Sequence, residues 1–352
     1  MKKIIATIAA TALCVVTALS LTACTVQPSE GGDEQPAKYS VYAPDGAPAL
    51  ALTNLIAAHN TTLAEGYDFD VHVIDSDANV LSALVTGASP AADFCILPLN
   101  LASKVLGSGE VYQMLGTVTN GNLYFLTTGE NAPLTQENFA TTLLGKKVGV
   151  VQLAYVPGLT LQVTLADYEI PYQVIASAQE EGASDKVNLI AFTPDNVTPA
   201  SGCDYYLCPE PAASAKIKGT SSTANPFALA GDLQELYGEG GYPQAVMVAK
   251  KEIVERDSKA VGEVIEYLTG SKDFLASAEP ETLIQLLSDK RTAGLAPSFT
   301  AANLTAEVVS HCSVWFTPSA TCKDTVNSFL AKLKTVNDGA ANTVSDAFYY
   351  LG

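Results

Sequence analysis

Positive charge is scarce in this chain. Nineteen Lys and Arg face 37 Asp and Glu, giving a formal charge of −18 over 352 residues, with only three histidines. A nucleic-acid binder needs a basic stripe to displace counterions, so that class is excluded. A polybasic attraction to anionic lipid is excluded on the same ground. Catalytic and metal signatures are missing too. The sequence has no G-x-S-x-G, H-E-x-x-H or P-loop pattern, no C-x-x-C pair and no His/Cys cluster. No catalytic residue, metal or cofactor is therefore expected. What is present is ordinary globular composition, 48% hydrophobic with 25 Gly and 18 Pro. The length suggests two domains or lobes.

Residues 1–24 read MKKIIATIAATALCVVTALSLTAC. Two lysines precede an uncharged apolar run that ends in small residues, the pattern of an export signal over 1–23. The ending Leu21-Thr22-Ala23-Cys24 is similar to the lipobox of bacterial lipoproteins, which implies cleavage before Cys24 and acylation of its thiol. A transmembrane helix is the other reading, because the run approaches the span length. Residues 24–38 are polar and rich in Gly, Pro and Glu, so they read as a flexible tether, with the folded part starting at Tyr39. Beyond the anchor an odd set of cysteines remains: Cys95, Cys203, Cys208, Cys312 and Cys322. Cys203 and Cys208 flank a strand-like DYYL that holds them roughly 16 Å apart, too far for a bridge. Cys312–Cys322 is the more plausible pair.

From Tyr39 onward, short apolar runs alternate with helix-length stretches, which argues α/β architecture. Strands are expected at 39–44, 67–75, 92–98, 146–152, 186–192, 203–209, 243–250 and 313–316, with one long strand-like stretch at 111–129. Helices are expected at Ala47–His59, Asn79–Thr86, Leu99–Leu106, Leu159–Tyr168, Ser258–Thr269, Glu279–Leu287 and Thr321–Val336. The order describes two α/β lobes, the first made of 39–118 and 245–352 and the second of 119–244. The chain crosses over once and later returns. Ligands of open α/β sheets bind outside the carboxyl ends of the strands, and a two-segment hinge would let the shared cleft close.

Several phrases, in this order, resemble one family: YAPDGAPALALTNLI (42–56), DFCILPLNLASKV (93–105), LGTVTNGNLYFLTT (115–128), DYYLCPEPAAS (204–214), YPQAVMVAKKEI (242–253) and CSVWF (312–316). The family is the substrate-binding proteins of ABC importers, in the SsuA-like branch with nitrate, taurine, aliphatic-sulfonate and thiamine-precursor binders. The resemblance implies a type II periplasmic-binding-protein fold and capture of a small solute between two lobes. It also implies delivery to a membrane permease driven by an ATPase.

The resemblance places the ligand at the loops that follow the strands. Asp45, Gly46 and Ala47 sit between a strand end and a helix start, where free N–H groups and the helix dipole can grip an oxygen. Pro98 and Asn100 repeat that position after the third strand. Thr119, Asn120 and Asn122 lie on the first crossing, at the floor of the cleft. Gln152, Tyr155 and Gly158 form a loop of the second lobe, with Tyr155 able to stack on a ring. Glu210 can accept from a ligand donor. Each has a plainer reading: Asp45 and Asn100 as helix caps, Glu210 as a rim carboxylate, Tyr155 as loop cover and the glycines as backbone needs. His59 and His72 read as surface residues. Neither arginine, Arg256 or Arg291, falls in these loops, which favours a neutral or mildly cationic, heteroaromatic solute over a sulfonate or other anion. A surface-anchored sensor or adhesin is the alternative, and an exported enzyme on the same fold a further one.

Overall fold

The computed structural model describes residues 36–61, 66–129, 131–238 and 240–352. The expected signal peptide 1–23, the acylated Cys24 and the tether as far as residue 35 lie outside the described residues.

Among the described residues, twelve strands are formed: β1 Ala37–Pro44, β2 Tyr67–Ile74, β3 Phe94–Pro98, β4 Tyr112–Thr119, β5 Leu123–Thr128, β6 Lys147–Val151, β7 Tyr172–Val174, β8 Val187–Phe192, β9 Tyr205–Pro209, β10 Phe227–Asp232, β11 Ala245–Lys250 and β12 Val314–Pro318. They make two six-stranded mixed sheets. The first has the order β12-β4-β11-β3-β1-β2 and the second β10-β5-β9-β6-β8-β7. In the first sheet β1 is parallel to β2 and β3, with Val41 opposite Val71, and β11 runs antiparallel between β3 and β4. In the second, β6 to β9 are parallel, while β5 runs antiparallel to β9 and β10 antiparallel to β5.

The chain passes between the sheets twice, at 120–122 and at 233–244. The sequence reads 111–129 as one strand-like stretch, and the first passage divides it. Gly121 there has φ +104°, and a Cβ on it would stand 2.6 Å from Gln234 Cγ and 2.8 Å from the Tyr242 ring. Only glycine turns the chain in that space.

Three apolar clusters hold the fold. One covers a face of the first sheet (Val41, Phe94, Ile96, Met247) under helices Thr53–Thr61, Ser258–Thr269 and Pro280–Lys290. Another covers the face of the second sheet that carries Leu126, Ile190 and Tyr206. The largest takes the remaining faces of both: Leu97 and Met114 from the first, Val150 and Leu207 from the second, with Phe329 and Leu330 of helix Ser319–Val336. That helix packs on helix Val156–Asp167 of the second sheet.

Several expectations need correction. The stretch 47–59 is not one helix: Ala47–Leu50 and Thr53–Thr61 are separated by a turn, where the Ala51 and Leu52 N–H groups donate three residues back, to Pro48 O and Ala49 O, in place of the four-residue helical pattern. β1 begins at Ala37, paired with Tyr67, so strand pairing starts two residues before Tyr39. Cys312 and Cys322 are free thiols, as are Cys95, Cys203 and Cys208, all buried. His59 is no surface residue. It packs edge-on to Phe69 and Tyr267, with its side chain 10% exposed and Nε2 3.1 Å from Glu263. Among the described residues, no helix is long and apolar enough to cross a membrane.

Candidate functional site

At the end of β1 the chain turns through Asp45 and Gly46 (φ +107°) into the helix that begins at Ala47. The Asp45 carboxylate does not point at open space. Its Oδ2 accepts from the Ser298 N–H at 2.7 Å, and its Oδ1 lies 3.5 Å from Arg291 Nη2. Both side chains are buried, at 5% and 8% exposure. Arg291, absent from every loop the sequence singles out, is thus brought to this one. Its Nε is buried without a partner.

At the end of β3, Pro98 takes the N-cap position of helix Leu99–Leu106, so Asn100 is not the cap. Its Nδ2 instead donates to Ala340 O at 3.4 Å. Neighbouring Leu99 donates its N–H to Gln244 O at 2.9 Å.

The first passage is a clasp. Asn120 faces the first sheet: its Nδ2 donates to Trp315 O at 3.2 Å and its N–H to Ser313 O at 3.0 Å. Asn122 faces the second: its Nδ2 donates to Glu210 O at 3.1 Å, and its Oδ1 accepts from Gln244 Nε2 at 3.0 Å. Thr119 is fully buried and its Oγ1 has no partner, nor does Gln244 Oε1. Buried polar atoms without partners cost about 1–3 kcal/mol each, so they mark places where water or a guest completes the bonding.

In the second sheet, Gln152 follows β6 with φ +58° and accepts the Tyr155 N–H at 2.9 Å. Tyr155 opens helix Val156–Asp167 and is 62% exposed. Gly158 has a packing reason that needs no ligand, since a Cβ there would collide with the Leu153 carbonyl.

Glu210 is 4% exposed. Its Oε1 accepts from Ser214 Oγ at 2.7 Å and its Oε2 from the Ser214 N–H at 3.1 Å. His311 Nδ1 lies 3.1 Å from Oε1. The His311 ring stacks on Tyr124 at 4.7 Å, and the Tyr124 hydroxyl donates to His311 O at 3.1 Å. Burial pushes the Tyr124 phenol well up, so it stays a donor. Sequence reasoning missed His311, Ser214 and Gln244. Gln244 stands just before a strand at a sheet crossing, a position that offered a local signal; His311 offered none.

Two cavities lie where the sheets meet. The larger, about 580 Å³, is lined by Leu134, Thr135, Asp232, Gln234, Glu235 and Ser313, among others. The smaller, about 330 Å³, lies between helix Ala212–Thr220 and segment 302–311, with Glu210, Ser214, Lys218 and His311 in its wall. Of the expected ligand residues, Glu210 lines the smaller cavity and the others line neither. Among the described residues, no group of three or more His, Cys, Asp or Glu is placed to hold a metal.

Solved structures share this fold. An ABC transporter protein from Parabacteroides distasonis superposes with a TM-score of 0.67 at 18% identity, covering 89% of this chain and 99% of that one. The periplasmic aliphatic sulphonate binding protein SsuA from Escherichia coli gives 0.59 at 15% identity, over 88% and 96%. The zinc-bound ligand-binding component of an ABC-type import system from Staphylococcus aureus gives 0.58 at 10%, over 89% and 96%. The sequence itself matches no protein-family model and no curated protein. The two mixed sheets with their helices are therefore the periplasmic-binding-protein-like fold of ABC import binding components.

Proposed function

We propose that this chain is an extracytoplasmic solute-binding component of an ABC importer. In this reading it captures a small molecule between two lobes, one built on each sheet, and delivers it to a permease that an ATPase drives. The lobes divide at 119 and 245, and the passages 120–122 and 233–244 act as the hinge. Cys24 carries the lipid that anchors the protein to the outer face of the cell membrane.

The observation that carries the reading is the 580 Å³ cavity at the second passage. Asp232 and Gln234 come to it from the second sheet's side, and Ser313 from the lead into β12 of the first. That volume suits a small solute. The protein is not an enzyme in this reading. Among the described residues, Ser214, Glu210 and His311 resemble a catalytic triad, but their connectivity is not that of one: Ser214 donates to Glu210, so the imidazole is not the base for its hydroxyl. The sulphonate bound by the Escherichia coli neighbour is a weaker fit here, because Arg291 is buried against Asp45. Asp45, Gly46, Ala47, Pro98, Asn100, Thr119, Asn120, Asn122, Gln152, Tyr155 and Gly158 line the outer cleft of the open form.

Solution scattering of the full chain tests this, with thermal-shift screening against vitamins, amines and sulfonates. A solute that raises the melting temperature and shrinks the radius of gyration supports it. Stabilisation by no solute, with an unchanging envelope, would favour a sensor or adhesin. Turnover of an added compound would make it an enzyme.

A further inference from the structure

The larger cavity has a chemical bias. Among the described residues, Asp232 and Glu235 supply its charges, and no described Lys, Arg or His lines it. The Asp232 carboxylate is half used. Its Oδ1 accepts the N–H groups of Gln234 at 2.7 Å and Glu235 at 3.3 Å, and its Oδ2 accepts no hydrogen bond from the described residues.

Gln234 adds an independent sign of a missing guest. It lines the same cavity at 7% exposure, and its Oε1 is taken by the Leu123 N–H at 2.8 Å and the Tyr242 hydroxyl at 3.3 Å. Its Nε2 donor is buried beside the Tyr124 hydroxyl and makes no hydrogen bond of good geometry among the described residues. A guest that fits therefore brings a cation for the carboxylates and an acceptor for the amide. Leu134 and Leu236 give its hydrocarbon part an apolar wall. A bare metal ion does not answer this description, because it offers no acceptor and the cavity holds too few ligands for one.

We infer that the cavity takes a small organic ammonium compound bearing a hydrogen-bond acceptor, with Asp232 as the chief counter-charge and Glu235 at the rim. The inference rests on the solute-binding reading and names its ligand class. The charge environment agrees. Burial pushes the Asp232 carboxyl up, and the neighbouring Glu235 pushes it the same way; two backbone N–H groups and the more distant His311 oppose this only partly. A bound ammonium relieves that shortage of positive charge. The chain's charge of −18 would also steer cations toward it, so association should slow as salt rises.

The test uses the full chain at pH 7.5 with three sets of probes. Choline, agmatine, putrescine and phenethylamine are the cations, butanamide is neutral, and butanesulfonate and propionate are anions. Thermal shift and calorimetric titration should show at least one cation binding and neither anion. Asp232→Asn should weaken that cation about tenfold or more, the worth of a charge-assisted bond. Asparagine still caps the following helix, so the free chain should melt as before. If it does not, Glu235→Gln, an exposed position, carries the test, with a loss of about threefold. A cation that binds Asp232→Asn and Glu235→Gln as tightly as the parent overturns the inference. So does binding confined to butanamide, butanesulfonate or propionate, which leaves solute capture standing. Failure of every probe, with no change of envelope, would sink both.

Discussion

Asp257 shows how single residues set the stability of the first sheet. It accepts from the Tyr39 hydroxyl at 2.6 Å, the Tyr67 hydroxyl at 2.8 Å and the Ala260 N–H at 3.2 Å, tying β1 and β2 to helix Ser258–Thr269. Burial alone would raise its carboxyl, but the two phenols and the amide together hold it below the usual value. Burial, and after it the same contact, push the Tyr67 phenol up to about 12. An acid whose folded value is lowered stabilises the fold above its unfolded value, near 4, and loses that contribution as pH falls through the folded one. Tyr67→Phe should therefore cost about 1 kcal/mol at pH 7. It should also move the acid-unfolding midpoint to higher pH, read by circular dichroism. Gly158 is the second case. Gly158→Ala drives a methyl group into the Leu153 carbonyl at the start of a fully packed helix. A loss of about 2–3 kcal/mol in urea unfolding is expected. A loss of solute binding with unchanged stability would show that this glycine acts in the cleft and not through packing.

At the scale of elements, the join between β4 and β12 leaves no room for a side chain at Gly116. A Cβ at Gly116 would collide with Thr317 O and stand 2.6 Å from the Phe316 ring. β12 is an edge strand with an irregular register between Val314 and Thr317, so it yields first. Gly116→Ala should cost about 2 kcal/mol and speed hydrogen exchange at 314–318 while β1 to β3 stay protected. The elements differ in how plainly the sequence announces them. β3 (FCILP), β6 (KVGVV) and β9 (YYLCP) lie inside their sheets and are continuous apolar runs, which short length and flanking turns identify as strands. β10 (FALAGD) is an edge strand with no clean alternation of exposure, and β7 has three residues, so neither leaves a periodic trace. The site divides the same way. The loops after β1, β3, β6 and β9 are legible because a strand end and a helix start are local signals. The partners are not. Arg291 reaches Asp45 across 246 residues and His311 reaches Glu210 across 101, and no spacing rule spans such distances.

At the scale of the whole molecule, ties of unequal strength join the two halves. On one side Glu210 meets His311, Lys218 Nζ donates to Ala302 O at 2.6 Å, and the Tyr124 hydroxyl donates to His311 O. On the other, Lys332 Nζ stands 2.7 Å from Asp167, between helices Ser319–Val336 and Val156–Asp167. The Lys332 pair is about 40% exposed on each partner, so solvent screens it and it contributes within ~0.5 kcal/mol. Glu210 is different, because its side chain is 1% exposed. Without the imidazole, a buried carboxylate keeps only its Ser214 bonds and loses about 1–2 kcal/mol. If the halves are lobes that open and close, that loss falls on the closed form. His311→Phe keeps a ring stacked on Tyr124 and removes only the bond to Glu210. It should shift the free chain toward the open form by about tenfold, since 1.4 kcal/mol is a factor of ten. Scattering would then show a larger radius of gyration, while Lys332→Ala leaves it unchanged. Equal expansion in both variants would mean that the tie near Glu210 is not the one that sets closure. No expansion in either would place the closing energy in the shared apolar core around Phe329 and Leu330.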